Sequence, residues 1–388
     1  MTEVNLSAEK LLIDVGKWPI RLLQAVGYFP YEVSNDQLVL SKPSKKLVLW
    51  SAIIIALRLH HDFEFLVNYD LLVEFLQLQR STDRLMVKLM ILMLSVATYW
   101  FRIFPLISRR DFEKFWKKTV RVMEFISEHA DFRMDQKHSE KLSKITKGMR
   151  NIALTIFVVT TYEVFFLSLS TQLQGHPRYQ REIADRLNWH LIMAAYTWCF
   201  TTFFHGFAQL QLLFFVQLYT SIFTMIGDEF HELNESLGNM KAASRSEDPE
   251  LEPAKGERLP CEDAQRKFRH GVDSLKWTQE MVMHYSSLYA KGVLIEMGTS
   301  TVLTLVYAYL GVYWYSIGLY LAATGTLMII GLFGYKIYSI ATASSTMEMA
   351  SKRVAKEIIL VCNDSWVQDP SLLCQVKYAS CHLGKRQR

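Results

Sequence analysis

Cysteine is scarce and scattered in this chain. Of the five in 388 residues, Cys261, Cys362, Cys374 and Cys381 fall in polar stretches and Cys199 in an apolar one, which offers neither a disulfide framework nor a zinc-ligand set. The catalytic signatures are missing as well. No GxSxG, no Walker-type phosphate loop and no HExxH occurs, so no enzymatic reading has a motif behind it and no cofactor is implied. The one dense His/carboxylate cluster is HHDFE at His60 to Glu64. Its adjacent histidines would point about 100° apart on a helix, so no metal site is expected. The net charge of +5 is too modest to indicate nucleic-acid binding. Residues 11–31 lack a secretory h-region, because Asp14, Lys17 and Arg21 interrupt them; they read as an interfacial helix. The longest lack is of charge itself: from Leu187 to Gly227 there is no Asp, Glu, Lys or Arg.

A bilayer core needs about 20 apolar residues per helix, so that stretch is membrane sequence. As one helix it is about twice the hydrocarbon thickness. It therefore either projects into water, the reading preferred for its Gln211, Gln217, Thr220 and Ser221, or breaks into two short helices near Gly206. Composition agrees with a polytopic membrane protein: 50% of residues are hydrophobic and 13% aromatic, yet 21% are charged and must be segregated into loops. Six spans are expected in an all-α bundle. The first, LVLWSAIIIAL, requires Arg58 to snorkel outward, and the second, about Leu85 to Ile107, requires the same of Lys88 and Arg102. The third is Asn151 to about Leu173, and the fourth is the long stretch. The fifth and sixth lie between Gly292 and Tyr335, with a tight reversal at GVYWYSIG.

Basic flanks at Lys42, Lys45 and Lys46, after Ile107, and at the end of the chain put both termini on the cytoplasmic side. The chain then divides into a cytoplasmic segment 1–46, a membrane bundle with cytoplasmic stems at 47–340, and an amphipathic helix and tail at 341–388. Within the bundle, SEDPELEPAKGERLPCED marks a disordered loop at about 240–265.

Charged and polar groups inside spans are costly and face protein. Glu163 and Glu296 each sit well inside a span, and His205 adds a polar group on the fourth helix. A bland role competes: a Glu pairing with a Lys such as Lys291, or with a Tyr, holds helices together. Tyr99, Trp100, Tyr196, Trp198, Tyr307 and Tyr320 are aromatic groups expected near the outer half of the bundle. They serve either packing or a ligand pocket.

The segments LLQAVGYFPY and LSKPSKKLVLWSAI, the long fourth helix running into FTMIGDEFHELNESL, and MEMASKRVAKEIILV leading to LLCQVKYASCHL resemble an insect gustatory receptor in layout across nearly the whole chain. The resemblance implies a multi-pass plasma-membrane chemoreceptor: a ligand-gated cation channel, homotetrameric or heteromeric, with a small-molecule tastant bound in the outer half of the bundle. The family carries a seventh span with a Thr-Tyr and Gln-Phe signature that lines the pore. That signature is not found before Arg388, so the chain is expected not to conduct alone. The sister family of insect odorant receptors is the nearest alternative; a six-span transporter or auxiliary subunit is an alternative of another class.

Overall fold

The computed structural model describes residues 8–34, 37–39, 43–67, 69, 78, 80–128, 144, 147–158, 204–246 and 258–363. The architecture is all-helical apart from one small hairpin. Helix α1 (Ala8–Ala25) leads to antiparallel β1 (Glu32–Ser34) and β2 (Gln37–Val39), with Val33 opposite Leu38. Then come α2 (Lys45–Val67), α3 (Ser81–Ile107) and α4 (Arg109–Glu128), a helical piece at 147–158, and the long helices α5 (Phe204–Ser246), α6 (Arg258–Ser316) and α7 (Tyr320–Asn363). The loop expected at about 240–265 is therefore entered by helix from both sides.

The long helices explain the general plan. α5 has 43 residues, α6 has 59 and α7 has 44; at ~1.5 Å per residue each reaches roughly 65 to 90 Å, against a hydrocarbon core of ~30 Å. Each therefore has a portion that crosses the membrane and a stem that leaves it. Among the described residues four helices are long and apolar enough to cross, within Ser81–Ile107, Gln209–Asn239, Ala264–Ser316 and Ala323–Val361. α2 occupies the place of the first expected span, and most of the third lies outside the described residues. Gly206 lies in the first turn of α5, and the residues before Phe204, where the other half of a break would fall, lie outside the described residues; from Leu210 to Ile226 the helix is buried almost continuously. A helix apolar all round has to be enclosed by others, and this one is enclosed by α1, α3, α6 and α7.

The ends of α1 and α6 use the same device. At the end of α1, Tyr28 N–H donates to the Leu23 carbonyl at 2.8 Å and Gly27 N–H to that of Gln24 at 3.1 Å. At the end of α6, Leu319 donates to Trp314 at 2.8 Å and Gly318 to Tyr315 at 3.2 Å. These are Schellman turns, which require a left-handed residue. Gly27 and Gly318 supply it, with φ of 76° and 84°.

Two apolar cores lie one beyond the other along the helix axes. The larger joins α1, α4, α5, the first half of α6 and the last part of α7 through Leu12, Phe115, Phe215, Tyr219, Tyr285 and Val354, among others. α4 shows why: Phe112, Phe115, Trp116, Met123 and Ile126 repeat at helical spacing on its buried side, and Arg110, Lys114, Lys117 and Arg121 stay outside. The apolar side of α1, expected to lie on the membrane surface, packs on α4 and α5 instead, with Leu12, Ile20 and Leu23 buried. The smaller core joins the start of α3, the end of α6 and the start of α7 through Val87, Leu94, Leu303, Leu310, Trp314 and Phe333.

Phe115 is the hub of the larger core. Its ring centroid is 4.9 Å from Phe215, 6.3 Å from Tyr285 and Tyr289, and 6.4 Å from Tyr219. Phe115→Ala should cost about 3–5 kcal/mol of stability. Phe63→Ala, at a side chain 63% exposed, should cost little. Denaturant unfolding of the purified chain in detergent distinguishes the two.

Candidate functional site

The buried cations among the described residues, Arg58, Arg102 and Lys336, form three groups where helices meet. The first links α2 to α3. Arg58 is 2% exposed; its Nε lies 2.9 Å from Asp62 Oδ1, and its Nη2 donates to Ser95 Oγ at 2.9 Å. Ser95 and Tyr99 hydroxyls both donate to Asp62 Oδ2, at 2.8 and 2.7 Å. Arg58 thus turns inward onto a carboxylate one turn along its own helix, rather than snorkelling outward as expected. The physical reason is that Asp62 at i+4 neutralises it at short range, which long exposure to lipid cannot do.

Arg102 forms the second group and is also buried, at 1% exposure, not snorkelled. Its guanidinium lies 4.4 Å from the centre of the Tyr28 ring and donates to the carbonyls of Thr98 at 3.1 Å and Val26 at 3.3 Å. A cation over an aromatic face with carbonyl acceptors is a stable arrangement without any carboxylate. Lys88, by contrast, is exposed, with Nζ 4.6 Å from the Tyr69 ring centre.

The third is the ion pair between Glu296 of α6 and Lys336 of α7, 0% and 1% exposed. Lys291, the partner considered from sequence, is exposed. Glu296 Oε2 has no hydrogen-bond partner among the described residues, so Lys336 carries the matching of its charge; Lys336 Nζ also lies 5.4 Å from the Phe333 ring. The pair stands between the two cores: Tyr289 and Leu332 belong to the larger one, Leu303 and Phe333 to the smaller.

The remaining candidates divide into three sets. Glu163, Tyr196 and Trp198 lie outside the described residues; His205 falls within α5, but its side chain does too. Tyr99 and Trp100 are 18 and 19 positions beyond Ser81, which is roughly 28 Å by helical rise from the end of α3 that meets Tyr309. That places them in the half opposite the α6 to α7 reversal. Trp100 stacks on Phe104 at 5.7 Å, and its buried indole N–H has no partner among the described residues. Tyr307 stacks on Phe333 at 6.1 Å within the smaller core, while Tyr320 is 58% exposed at the reversal, edge-on to Tyr315.

Some polar positions went unmarked in the sequence. Asp83, just ahead of the expected second span, is fully buried: its carboxylate accepts the Arg80 backbone N–H at 2.9 Å and the Tyr309 hydroxyl at 2.6 Å. It therefore caps α3 and ties it to α6. Trp314 has a buried indole N–H without a partner among the described residues. Outside the crossing segments, burial pushes the Tyr28 and Tyr31 hydroxyls up to about 12, and the hydrogen bond from Lys117 lowers Glu113 below the ordinary carboxylate value.

Long apolar helices with stems, charges matched inside and polar stem surfaces outside define a multi-pass membrane protein of helical-bundle type. In comparisons with known proteins, no family model and no curated protein sequence matches the chain. Its fold does match a solved structure, that of the insect olfactory receptor OR5 from Machilis hrabei. The match has a TM-score of 0.62 and spans 96% of this chain and 90% of that one, at 11% identity.

Removing one member of a buried ion pair leaves an uncompensated charge, which costs about 3–5 kcal/mol. Lys336→Met alone should therefore destabilise the purified chain by that order. Combining it with Glu296→Gln should recover most of the loss. Equal losses in single and double variants, read from unfolding in detergent, would show that the two side chains are not coupled.

Proposed function

We propose that this chain is a chemoreceptor of the insect superfamily: a subunit of a ligand-gated cation channel in the plasma membrane, assembled as a homo- or heteromeric tetramer and opened by a small-molecule tastant. The observation that carries the reading is the likeness of fold to an insect olfactory receptor along 96% of the chain. The gustatory branch is supported by the sequence segments that resemble that family. Their structural surroundings give them a physical role: GYFPY supplies Gly27 for the first Schellman turn and Tyr28 for the face beneath Arg102, and FTMIGDEFHELNESL carries α5 from its buried apolar stretch into charged sequence.

The smaller core, where α3, α6 and α7 meet, suits the ligand-binding half. It is apolar and aromatic, as small-molecule sites are, and it holds the indole N–H of Trp314 as an unused donor. A tastant carrying a hydroxyl or carbonyl would accept that hydrogen bond. Coupling then passes along α6 and α7, which carry both the smaller core and the Glu296–Lys336 pair.

Calcium imaging of cells expressing the chain, alone and with a second receptor subunit, against sugars, bitter compounds and volatile odorants tests this reading. Sugar- or bitter-evoked calcium entry is expected. Responses to volatiles only would move the chain to the odorant branch, and no entry despite verified surface delivery would contradict the channel reading. Where a response is found, Trp314→Phe should raise the half-maximal ligand concentration roughly fivefold, since one hydrogen bond contributes ~1 kcal/mol. Surface expression should stay within about twofold.

A further inference from the structure

Four hydrogen bonds fasten α1, α2 and α3 into one corner. Trp50 Nε1 donates to the Ala25 carbonyl at 2.7 Å, Ser51 Oγ to that of Gly27 at 2.7 Å, and Tyr31 Oη to that of Pro105 at 2.6 Å; Arg102 completes the set through Val26. The surface that this corner turns outward changes character abruptly. On α2, Leu49 and Ile53 are apolar and exposed, and one turn before them Lys45 and Lys46 are exposed. On the neighbouring α3, running in the opposite sense, Ile103 and Ile107 are exposed, and past them Arg110 and Lys114 of α4 are exposed. Arg21, one turn before the end of α1, adds a fifth cation. Among the described residues none of these five has an ion-pair partner. The nearby acids are fewer: Asp111 is exposed, and Glu32 accepts a hydrogen bond from the Ser44 hydroxyl.

Exposed apolar rows that end in cations on two adjacent helices, α3 long and apolar enough to cross a membrane and α2 beside it, match a lipid surface. The rows suit acyl chains, and the cations suit phosphate at headgroup depth, where each basic residue contributes ~1 kcal/mol of attraction to an anionic leaflet. We infer that this corner is a binding surface for anionic phospholipid, with the headgroup phosphate held by Lys45, Lys46 and Arg110. The inference rests on the membrane placement of α2 and α3 and stands whether or not the chain is a channel.

Native mass spectrometry of the whole purified chain, in detergent with equimolar phosphatidylglycerol and phosphatidylcholine, tests it. Wild-type protein should retain phosphatidylglycerol in preference. The preference should fall about fivefold for each charge removed in Lys45→Gln, Lys46→Gln and Arg110→Gln, stay intact in Lys45→Arg with Lys46→Arg, and stay intact in Lys352→Gln on the far stem. Equal retention of both lipids by wild type, an unchanged preference in the triple variant, or a loss in the charge-keeping variant would each overturn the assignment. So would displacement of the lipid by millimolar inorganic phosphate, which would point to a site for the free anion.

Discussion

A carboxylate and an ammonium taken out of water are tolerable only together, and Glu296 with Lys336 fixes how α6 and α7 lie against each other. These are the two longest helices among the described residues, and each contributes to both apolar cores. Sliding one past the other by a single turn, ~5.4 Å, would unpair two charges that have almost no access to solvent. The register of the neighbouring α6–α7 aromatic packing, Tyr307 on Phe333, is held by that constraint.

The other buried cations serve the same end by different means. Arg58 has its carboxylate within its own helix and reaches α3 through Ser95. Arg102 has no carboxylate partner among the described residues and closes the α1 to α2 turn through a ring face and two carbonyls. Because each charge is satisfied by a different set of neighbours, the crossing helices have one arrangement in which all are matched at once. Apolar burial does not select among packings in this way where the helices face lipid, since lipid is as apolar as the helix surfaces. A ligand that shifts α6 or α7 in the smaller core therefore acts on a structure with a defined resting register.

Much of this was legible in the sequence, and the physics says which part. Helices, stems and the reversal at Gly318 follow from apolar runs far longer than a bilayer, from helical periodicity in α4 and α7, and from glycine at a turn. The fates of the charges did not follow in the same way. Arg58, Lys88 and Arg102 all sit near span ends, where snorkelling is the ordinary outcome, yet two of the three turn inward. The signal for Arg58 was local, an Asp four residues on. For Arg102 it was Tyr28, distant in sequence and brought beneath it by a turn that only the fold reveals. Glu296 was recognised as buried, but its partner is 40 positions away on the next helix. Asp83 looked like loop acidity because a capping residue and a solvated one have the same composition. The Glu32–Val39 hairpin escaped notice because three-residue strands leave no periodicity to read.

The central claim is that a matched pair of opposite charges, with its geometry rather than its chemical identity, sets the register of α6 and α7. Exchanging the two is the most direct measurement: Glu296→Lys and Lys336→Glu, singly and together, each assayed for monodisperse protein in detergent and for surface delivery. Like charges would face each other in either single variant, and both should fail; the exchanged pair should be recovered close to wild-type yield. Single variants that fold as well as wild type, or an exchanged pair that fails as they do, would contradict the account.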